Sequence, residues 1–341
     1  MRKVLVSGEG VRFPIFVVGS IILSLFISSL FAFPSSPHGD TLSSAQPDSN
    51  ETLNVPMGTD TLLHPILPGD SLHQDSLSRA AMQDTLPLYH LDRTIPNNAF
   101  RVGEKLTFKV RYGIIKAGTA TMEVKERIKL PDSSEVYHII STARSSGAFD
   151  IFYKVRDSVE TFLDVHGFFS RKFRKQLREG GYKYDLFVDY DQHHGIANVQ
   201  TIRYYNEEPL RIKKQETFQL KVPAYVLDVL ASFYYVRTQE LRVGEPIYMT
   251  NHDNKKVYDL QVIIQRKERV KVKAGKFNCI VISPRLRGEA IFKQKGELWI
   301  WLTDDQYKIP VQMKSKVVVG SITTELIKME GVPTPIPAQI K

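Results

Sequence analysis

The stretch 106–124 reads LTFKVRYGIIKAGTATMEV, and its pattern decides the class of fold. Apolar residues alternate with polar ones in its first half, so that one face holds Leu106, Phe108, Val110 and Tyr112. A period of two residues is typical of a half-buried β-strand. Residues 113–118 then supply a loop, and residues 119–127 return as a second strand. The stretch therefore predicts an antiparallel hairpin.

The same alternation continues along most of the chain after residue 98. It predicts strands near 135–143, 155–164, 168–178, 182–191, 196–205, 213–220, 246–251, 256–266, 268–273, 277–285, 291–302, 309–318 and 321–329. More than ten antiparallel strands with polar outer faces imply a barrel, a half-barrel or a sandwich.

One segment, AYVLDVLASFYYVRTQ at residues 224–239, breaks the pattern and suits a helix of about four turns. Its polar residues form one narrow stripe, so the helix needs cover on nearly every side. We therefore expect a mainly β fold, a large curved antiparallel sheet (half-barrel or barrel) with this apolar helix against its concave side. In one interpretation the helix fills the core on the concave side of the sheet. In the other it lines or covers an apolar ligand cavity, with Val226, Leu230, Phe233 and Tyr234 as the contact residues.

Charge divides the 341 residues into two regions that the formal net charge of +9 conceals. Residues 1–97 carry 5 basic and 9 acidic side chains, whereas residues 98–341 carry 41 basic and 28 acidic ones. An apolar run at 13–33 follows Arg2, Lys3 and Arg12, which is the pattern of a signal peptide or an uncleaved signal anchor. Residues 34–97 read as a disordered linker rich in Ser, Pro and Asp, and residues 331–341 as a flexible tail. The expected localisation is the periplasm or envelope, with an inner-membrane anchor as the alternative to cleavage.

The densest basic stretch, RKFRKQLR at 171–178, is the candidate anion-binding patch. A strand there would space its cations about 6.5–7 Å apart along each face, which suits phosphates or carboxylates of lipids or wall polymers. The alternative is an ordinary solvated sheet face. The patch consists of Arg171, Lys172, Arg174, Lys175 and Arg178.

A second candidate contact is Arg144, in the segment 141–164 where charged and aromatic residues alternate. We interpret this segment as a loop that forms the rim of the sheet, with ligand gating as the other interpretation. Arg144 is accordingly a candidate ligand contact beside the helix residues.

Catalytic and metal signatures are missing from the sequence. It has no Gly-x-Ser-x-Gly, no His-Glu-x-x-His and no phosphate loop, and its single cysteine, Cys279, excludes a disulfide framework and a Cys-rich zinc site. We expect no cofactor and no metal. Export and the lack of a base-reading motif exclude nucleic acid as a partner.

Three short motifs resemble a known family. They are Gly103-Glu104-Lys105-Leu106, the Tyr112-Gly113 turn and the Ala117-Gly118 pair; later stretches at 272–284 and 298–326 are similar as well. Residues 98–330 thereby resemble the bacterial exported family called domain of unknown function 3108. The resemblance implies export and a β-rich domain, and it assigns no activity. A looser, fold-level likeness runs to periplasmic lipoprotein carriers of the LolA and LolB type.

These observations favour an exported, non-enzymatic envelope protein that binds an amphiphilic or anionic ligand, such as a lipid. The alternative is a module that binds an envelope protein or a polysaccharide without a ligand cavity. A hydrolase with an unrecognised site is the third reading, and it requires carboxylates or histidines to converge in space.

Overall fold

The computed structural model describes residues 88–287, 297–316 and 320–341. Their main feature is one antiparallel sheet of fifteen strands. The two helices among these residues are α1 (Ala148–Phe152) and α2 (Val229–Thr238). The strands are β1 (Lys105–Tyr112), β2 (Ile115–Lys129), β3 (Glu135–Ser145), β4 (Arg156–Asp164), β5 (Ser170–Glu179), β6 (Tyr182–Asp191), β7 (Ile196–Tyr204), β8 (Ile212–Lys221), β9 (Ile247–Asp253), β10 (Lys256–Val272), β11 (Gly275–Leu286), β12 (Glu297–Thr303), β13 (Pro310–Lys316), β14 (Ser321–Glu330) and β15 (Gln339–Ile340).

Neighbouring strands in the sheet are mostly neighbours in sequence. The order runs from β8 down to β1, crosses to β14, and then runs down to β9, while β15 pairs with β11. The strands β8 and β9 are the two edges, and no ladder joins them among the described residues. Helix α2 lies in the connection between these edges and packs against β4 and β9. The predicted mainly β fold, a curved antiparallel sheet (half-barrel or barrel) with one apolar helix against it, is confirmed, and the sheet of the described residues is not closed.

Side-chain alternation places the core as the sequence predicts. In β1, Leu106, Phe108 and Val110 are buried, and the polar residues between them are more exposed. One prediction was wrong in detail, because the expected strands at 256–266 and 268–273 form the single strand β10. A bulge between Ile264 and Arg266 shifts the register there without ending the ladder to β11.

Helix α2 is shorter than predicted, since it begins at Val229 rather than near residue 224. The carboxylate of Asp228 accepts hydrogen bonds from the backbone N–H groups of Leu230 and Ala231, both at 2.9 Å, and so caps the helix. Tyr225 adopts a left-handed backbone conformation, which keeps the preceding residues out of the helix.

The last turn of α2 is held by a buried ion pair. Arg237 donates to the two carboxylate oxygens of Glu104 at 2.6 and 2.9 Å, and both side chains are at most 1% exposed. The same guanidinium donates to the backbone oxygens of Ala99 and Tyr307. Glu104, in the first of the three short motifs, thus fastens the helix to the start of β1.

The Ala117-Gly118 motif also has a structural reason. A Cβ on Gly118 would lie 2.1 Å from the backbone oxygen of Arg144, on the paired strand β3. Any side chain would therefore force β2 and β3 apart, and only glycine fits this close approach.

Both ends of the described chain are fastened to the sheet. Tyr89 and Ile95, which the sequence places in the linker, donate backbone hydrogen bonds to His193 and His166. The predicted flexible tail instead buries Ile336 and Ala338 and pairs β15 with β11. Residues 88–341 thus contain the whole sheet, its core and both fastened ends, so we treat them as one folding unit. The predicted signal segment lies outside the described residues.

Candidate functional site

The space beneath α2 is too small for a lipid. An apolar cavity of about 30 Å³ lies between the helix and strands β9–β12, and Phe233, Val236, Met249 and Leu260 are among its lining residues. A single water needs roughly 10–15 Å³, whereas ligand pockets typically reach about 300–1,000 Å³. This cavity therefore has room for about two waters and none for an acyl chain.

The structure does not bring the other predicted ligand residues to this cavity. Val226, Leu230 and Tyr234 are at most 1% exposed and belong to the packed core. Tyr234, for example, packs edge-on against Phe100 with ring centroids 4.8 Å apart. Arg144 lies beside a separate small cleft of about 10 Å³. Of the five candidates, Phe233 alone lines the larger cavity.

The predicted basic patch falls on β5, and most of its cations already have acidic partners. Arg171 pairs with Asp164 at 3.1 Å, Lys172 with Asp189 at 3.0 Å, and Arg178 with Asp185 at 2.7 Å. These pairs neutralise most of the row and leave little charge for a ligand. The patch remains a prediction, with less free charge than the sequence suggests.

The other two cations of the patch differ from each other. Arg174 is exposed and has no carboxylate within 4 Å among the described residues. Lys175 is buried on the inner face of β5 and pairs at 2.7 Å with Asp253 from the end of β9. Arg174 is therefore the member of the patch whose charge no carboxylate of the described residues neutralises.

A pair of buried carboxyl groups was not foreseen from the sequence. Asp157 of β4 and Glu179 of β5 are buried neighbours, and neither carboxyl oxygen of Glu179 has a hydrogen-bond partner among the described residues. Burial raises the pKa of Asp157 to about 6, and burial together with this neighbour raises the pKa of Glu179 well above its usual range. Glu179 therefore keeps its proton at neutral pH. Neither group is exposed to a substrate, so the pair is a structural feature.

Because the sheet is a meander, its connections alternate between two ends. We name one of these the loop end. Five of its connections are described in full, and each is taken together with the adjoining strand termini. They are residues 112–116, 146–156, 179–183, 204–214 and 254–256.

The loop end concentrates the exposed apolar surface of the described chain. Twelve large hydrophobic side chains are exposed, and eight of them lie in the loop-end segments. The most exposed are Ile114 at 94%, Phe152 at 83% and Ile151 at 82%. The other five are Ile115, Tyr182, Tyr205, Leu210 and Ile212.

Basic residues, like the exposed hydrophobic ones, are more frequent in the described segments of the loop end than at the opposite end of the sheet. The five loop-end segments carry nine Lys and Arg against four Asp and Glu. The five opposite hairpin connections, residues 129–135, 164–170, 191–196, 272–275 and 303–310, carry three Lys and Arg against six Asp and Glu. None of these opposite connections contains an exposed large hydrophobic residue. Among the connections that the structure describes in full, those at the loop end are thus both the more apolar and the more basic.

Direct contacts join four of the loop-end segments into a continuous surface. The backbone of Gly180 donates to Lys154, and Lys183 pairs with Glu208 at 3.4 Å. The segment that carries α1 in turn lies against β2, because Ser146 donates its backbone N–H to Ala117. The exposed tips of these four segments therefore lie side by side at the loop end.

Part of this surface was visible in the sequence. The tip Gly113-Ile114-Ile115 places two isoleucines in a turn, where polar residues are usual, and AFDIF places an apolar pair in a rim loop. Their common location depends on strand order, which one sequence does not provide.

No helix of the described residues is long and apolar enough to cross a bilayer. No group of three or more His, Cys, Asp or Glu side chains there is placed to hold a metal ion.

Comparison with solved structures finds weak similarity to several proteins. A β-barrel-like protein of domain of unknown function DUF1849 from Brucella abortus is 13% identical, with a TM-score of 0.43 over 69% of this chain and 100% of its own. A candidate exported protein with a YmcC-like fold from Bacteroides fragilis is 10% identical, with a TM-score of 0.29 over 70% of this chain and 98% of its own. A candidate lipoprotein from Parabacteroides distasonis is 12% identical, with a TM-score of 0.30 over 70% and 99%. No functional argument rests on similarities this low, and the likeness to LolA- and LolB-type carriers stays a prediction.

No curated protein matches the chain in sequence. The model of a family described as protein of unknown function (DUF3108) matches residues 107–327, which is more than half of the chain. This span begins within β1, ends within β14, and includes the Ala117-Gly118 pair, both helices and the five loop-end segments. The chain therefore belongs to the DUF3108 family.

Proposed function

We propose that this protein is an exported, non-enzymatic envelope protein that binds an anionic ligand at the loop end of its β domain. The observation that carries the proposal is the division of charged residue types, nine Lys and Arg against four Asp and Glu in the described connections at one end and three against six at the other. A surface with an excess of one charge attracts the opposite charge and speeds its encounter. The basic residues before the apolar run at 13–33 support export.

Free cations at the loop end give this surface its binding capacity. Lys116, Lys154 and Lys213 are exposed, and none has a carboxylate within 4 Å among the described residues. Their charges are therefore available to a ligand, unlike most of those on β5. The ligand binds on the outside of the domain, because the cavity beneath α2 holds about 30 Å³.

The test uses residues 88–341 and inorganic polyphosphate, a soluble polyanion, as the probe. The variant Lys116→Glu/Lys154→Glu/Lys213→Glu is compared with Lys129→Glu/Lys221→Glu/Lys273→Glu, which changes the net charge equally at the opposite end. We expect the first variant to bind at least about tenfold more weakly than the second at low salt. Equal weakening by both variants would overturn the proposal, since overall charge would then explain binding.

A second candidate function, polysaccharide binding, is favoured by one surface on the outside of the sheet. Both tryptophans of the chain, Trp299 and Trp301, lie on the outer face of β12 and line a concavity of about 340 Å³ with Arg266, Gln312 and Lys314. Indole faces and hydrogen-bonding side chains together suit a sugar ring. Intrinsic fluorescence reports this surface directly, and no change on titration with soluble glycans of either charge would dismiss it.

A further inference from the structure

We propose that the loop end is a membrane-docking surface, whose exposed apolar side chains enter the interfacial region of an anionic bilayer while its lysines and arginines contact lipid phosphates. This inference rests on the proposed function and names its partner. It concerns the described loop-end segments and requires no change in the fold.

The apolar part of the surface is unusually exposed. Ile114, Ile151 and Phe152 each expose more than four fifths of their surface, and all three lie at tips that project beyond the strands. Single exposed hydrophobic residues are common on soluble proteins, but clustered ones mark contact sites for proteins or membranes. This clustering at one end calls for a partner.

The described N-terminal segment does not supply that partner. Residues from Tyr89 to Ile95 run along the opposite end of the sheet, where they bond to His193 and His166. The described C-terminal segment pairs with β11 at Phe277 and Lys276, again away from the loop end. Neither described terminus covers the exposed tips.

The arrangement of charges favours a lipid surface over a protein. Protein interfaces gather apolar residues at a centre and are depleted in lysine. Here lysines flank the apolar tips instead: Lys116 follows Ile115, Lys154 lies two residues beyond Phe152, and Lys213 follows Ile212. Apolar side chains interleaved with cations are typical of surfaces that lie in the bilayer interface, where cations are attracted to an anionic leaflet.

The most exposed pair is held in a defined position. The carboxylate of Asp150 in α1 bonds to the guanidinium of Arg156 at 2.6 Å and accepts a hydrogen bond from the hydroxyl of Ser145. These contacts fix α1 on the ends of β3 and β4, so Ile151 and Phe152 project from a fixed support. Insertion therefore needs little ordering of this loop.

The experiment measures binding of residues 88–341 to sedimented vesicles of phosphatidylglycerol and phosphatidylethanolamine, with phosphatidylcholine vesicles for comparison. This part of the chain is used because the apolar run at 13–33 would insert by itself. The apolar variant is Ile114→Ser/Phe152→Ser. Its matched control is Val102→Ser/Val243→Ser, which removes two exposed hydrophobic residues away from the loop end.

We expect the apolar variant to bind anionic vesicles about tenfold or more weakly than wild type, and the control variant to bind like wild type. Wild-type protein should bind phosphatidylcholine vesicles much more weakly than anionic ones. The inference is overturned if the apolar variant and the control bind anionic vesicles equally. It is also overturned if wild type does not bind them at all.

Polyphosphate binding separates this inference from the proposed function. The apolar variant should bind polyphosphate as wild type does, because it keeps every loop-end lysine and arginine. Normal polyphosphate binding that depends on the loop-end lysines, together with unchanged vesicle binding by the apolar variant, would refute membrane insertion alone. Loss of the charge dependence as well would refute both.

Discussion

Replacing Glu104 by glutamine should strongly destabilise the domain. The change removes the negative charge that faces Arg237, a side chain with no exposed surface. It leaves an amide oxygen that can accept one of the two hydrogen bonds, at 2.6 and 2.9 Å, that the carboxylate now accepts. The guanidinium remains buried without a counter-charge, which is the costly outcome for a buried pair.

The expected loss in the free energy of unfolding is about 3–5 kcal/mol, the range for breaking one side of a buried ion pair. Two backbone bonds from Arg237, to Ala99 and Tyr307, survive the change and keep the guanidinium partly satisfied. They place the expected value at the lower end of that range. For a domain of this size, each kcal/mol lowers the Tm by roughly 2–4 °C.

The matched control is Glu123→Gln. Glu123 pairs with Lys105 at 2.9 Å on the neighbouring strand, but these side chains are 35% and 42% exposed. Such exposed pairs contribute at most about 1 kcal/mol. Urea unfolding of residues 88–341, followed by circular dichroism, measures both variants. Similar small losses for the two substitutions would refute the role of Glu104 as the fastening of α2.

Three further predictions concern the fold. Glu179→Gln should make the free energy of unfolding less dependent on pH. The pKa of Glu179 is raised in the folded state, so the stability that this group contributes is fully present below the pKa that it has in the unfolded state. That stability is lost as the pH rises toward the pKa of the folded state. The Tm of the variant should therefore exceed that of wild type increasingly from pH 5 to pH 9, and parallel curves would contradict this. Asp228→Ala should cost about 2–4 kcal/mol in urea unfolding, because it removes the helix cap and the acceptor for the hydroxyls of Thr161 and Ser170, whereas Asp228→Asn should cost less. Gly118→Ala should cost more than about 2 kcal/mol, because its Cβ would strike the backbone of Arg144, and an unchanged Tm would show that β2 and β3 can separate.

The sequence predicts the strands well because their signal is local. Alternation in β1 or β10 depends only on which side chains face the core, and a period of two residues reports it directly. The helix is found for the same reason, since 224–239 is too apolar for a half-buried strand. The predicted start of the helix is wrong because the cap at Asp228 is stabilised by Thr161 and Ser170, which are distant in sequence.

The candidate site is harder to predict because it depends on pairs from distant parts of the chain. Lys175 counts as a free cation in the sequence, yet Asp253, 78 residues away, neutralises it. Glu104 meets Arg237 across 133 residues, which no local pattern reveals. Likewise, the tip at Ile114 and the loop at Phe152 belong to one surface only because of the strand order.

Site-specific labelling tests the membrane-docking claim most directly, and the chain is well suited to it. Its single cysteine, Cys279, is buried, and burial raises the pKa of its thiol to about 12, so it should not react with the label. An environment-sensitive fluorophore is attached to Phe152→Cys at the loop end, and separately to Ser133→Cys in the β2–β3 turn at the opposite end.

Each labelled protein is mixed with anionic vesicles that carry a quencher in their acyl chains. We predict a blue shift and quenching for the label at position 152, and neither for the label at position 133. Emission that stays unchanged at position 152 while the protein sediments with the vesicles would contradict the account, because the loop end would then not be the part that enters the bilayer.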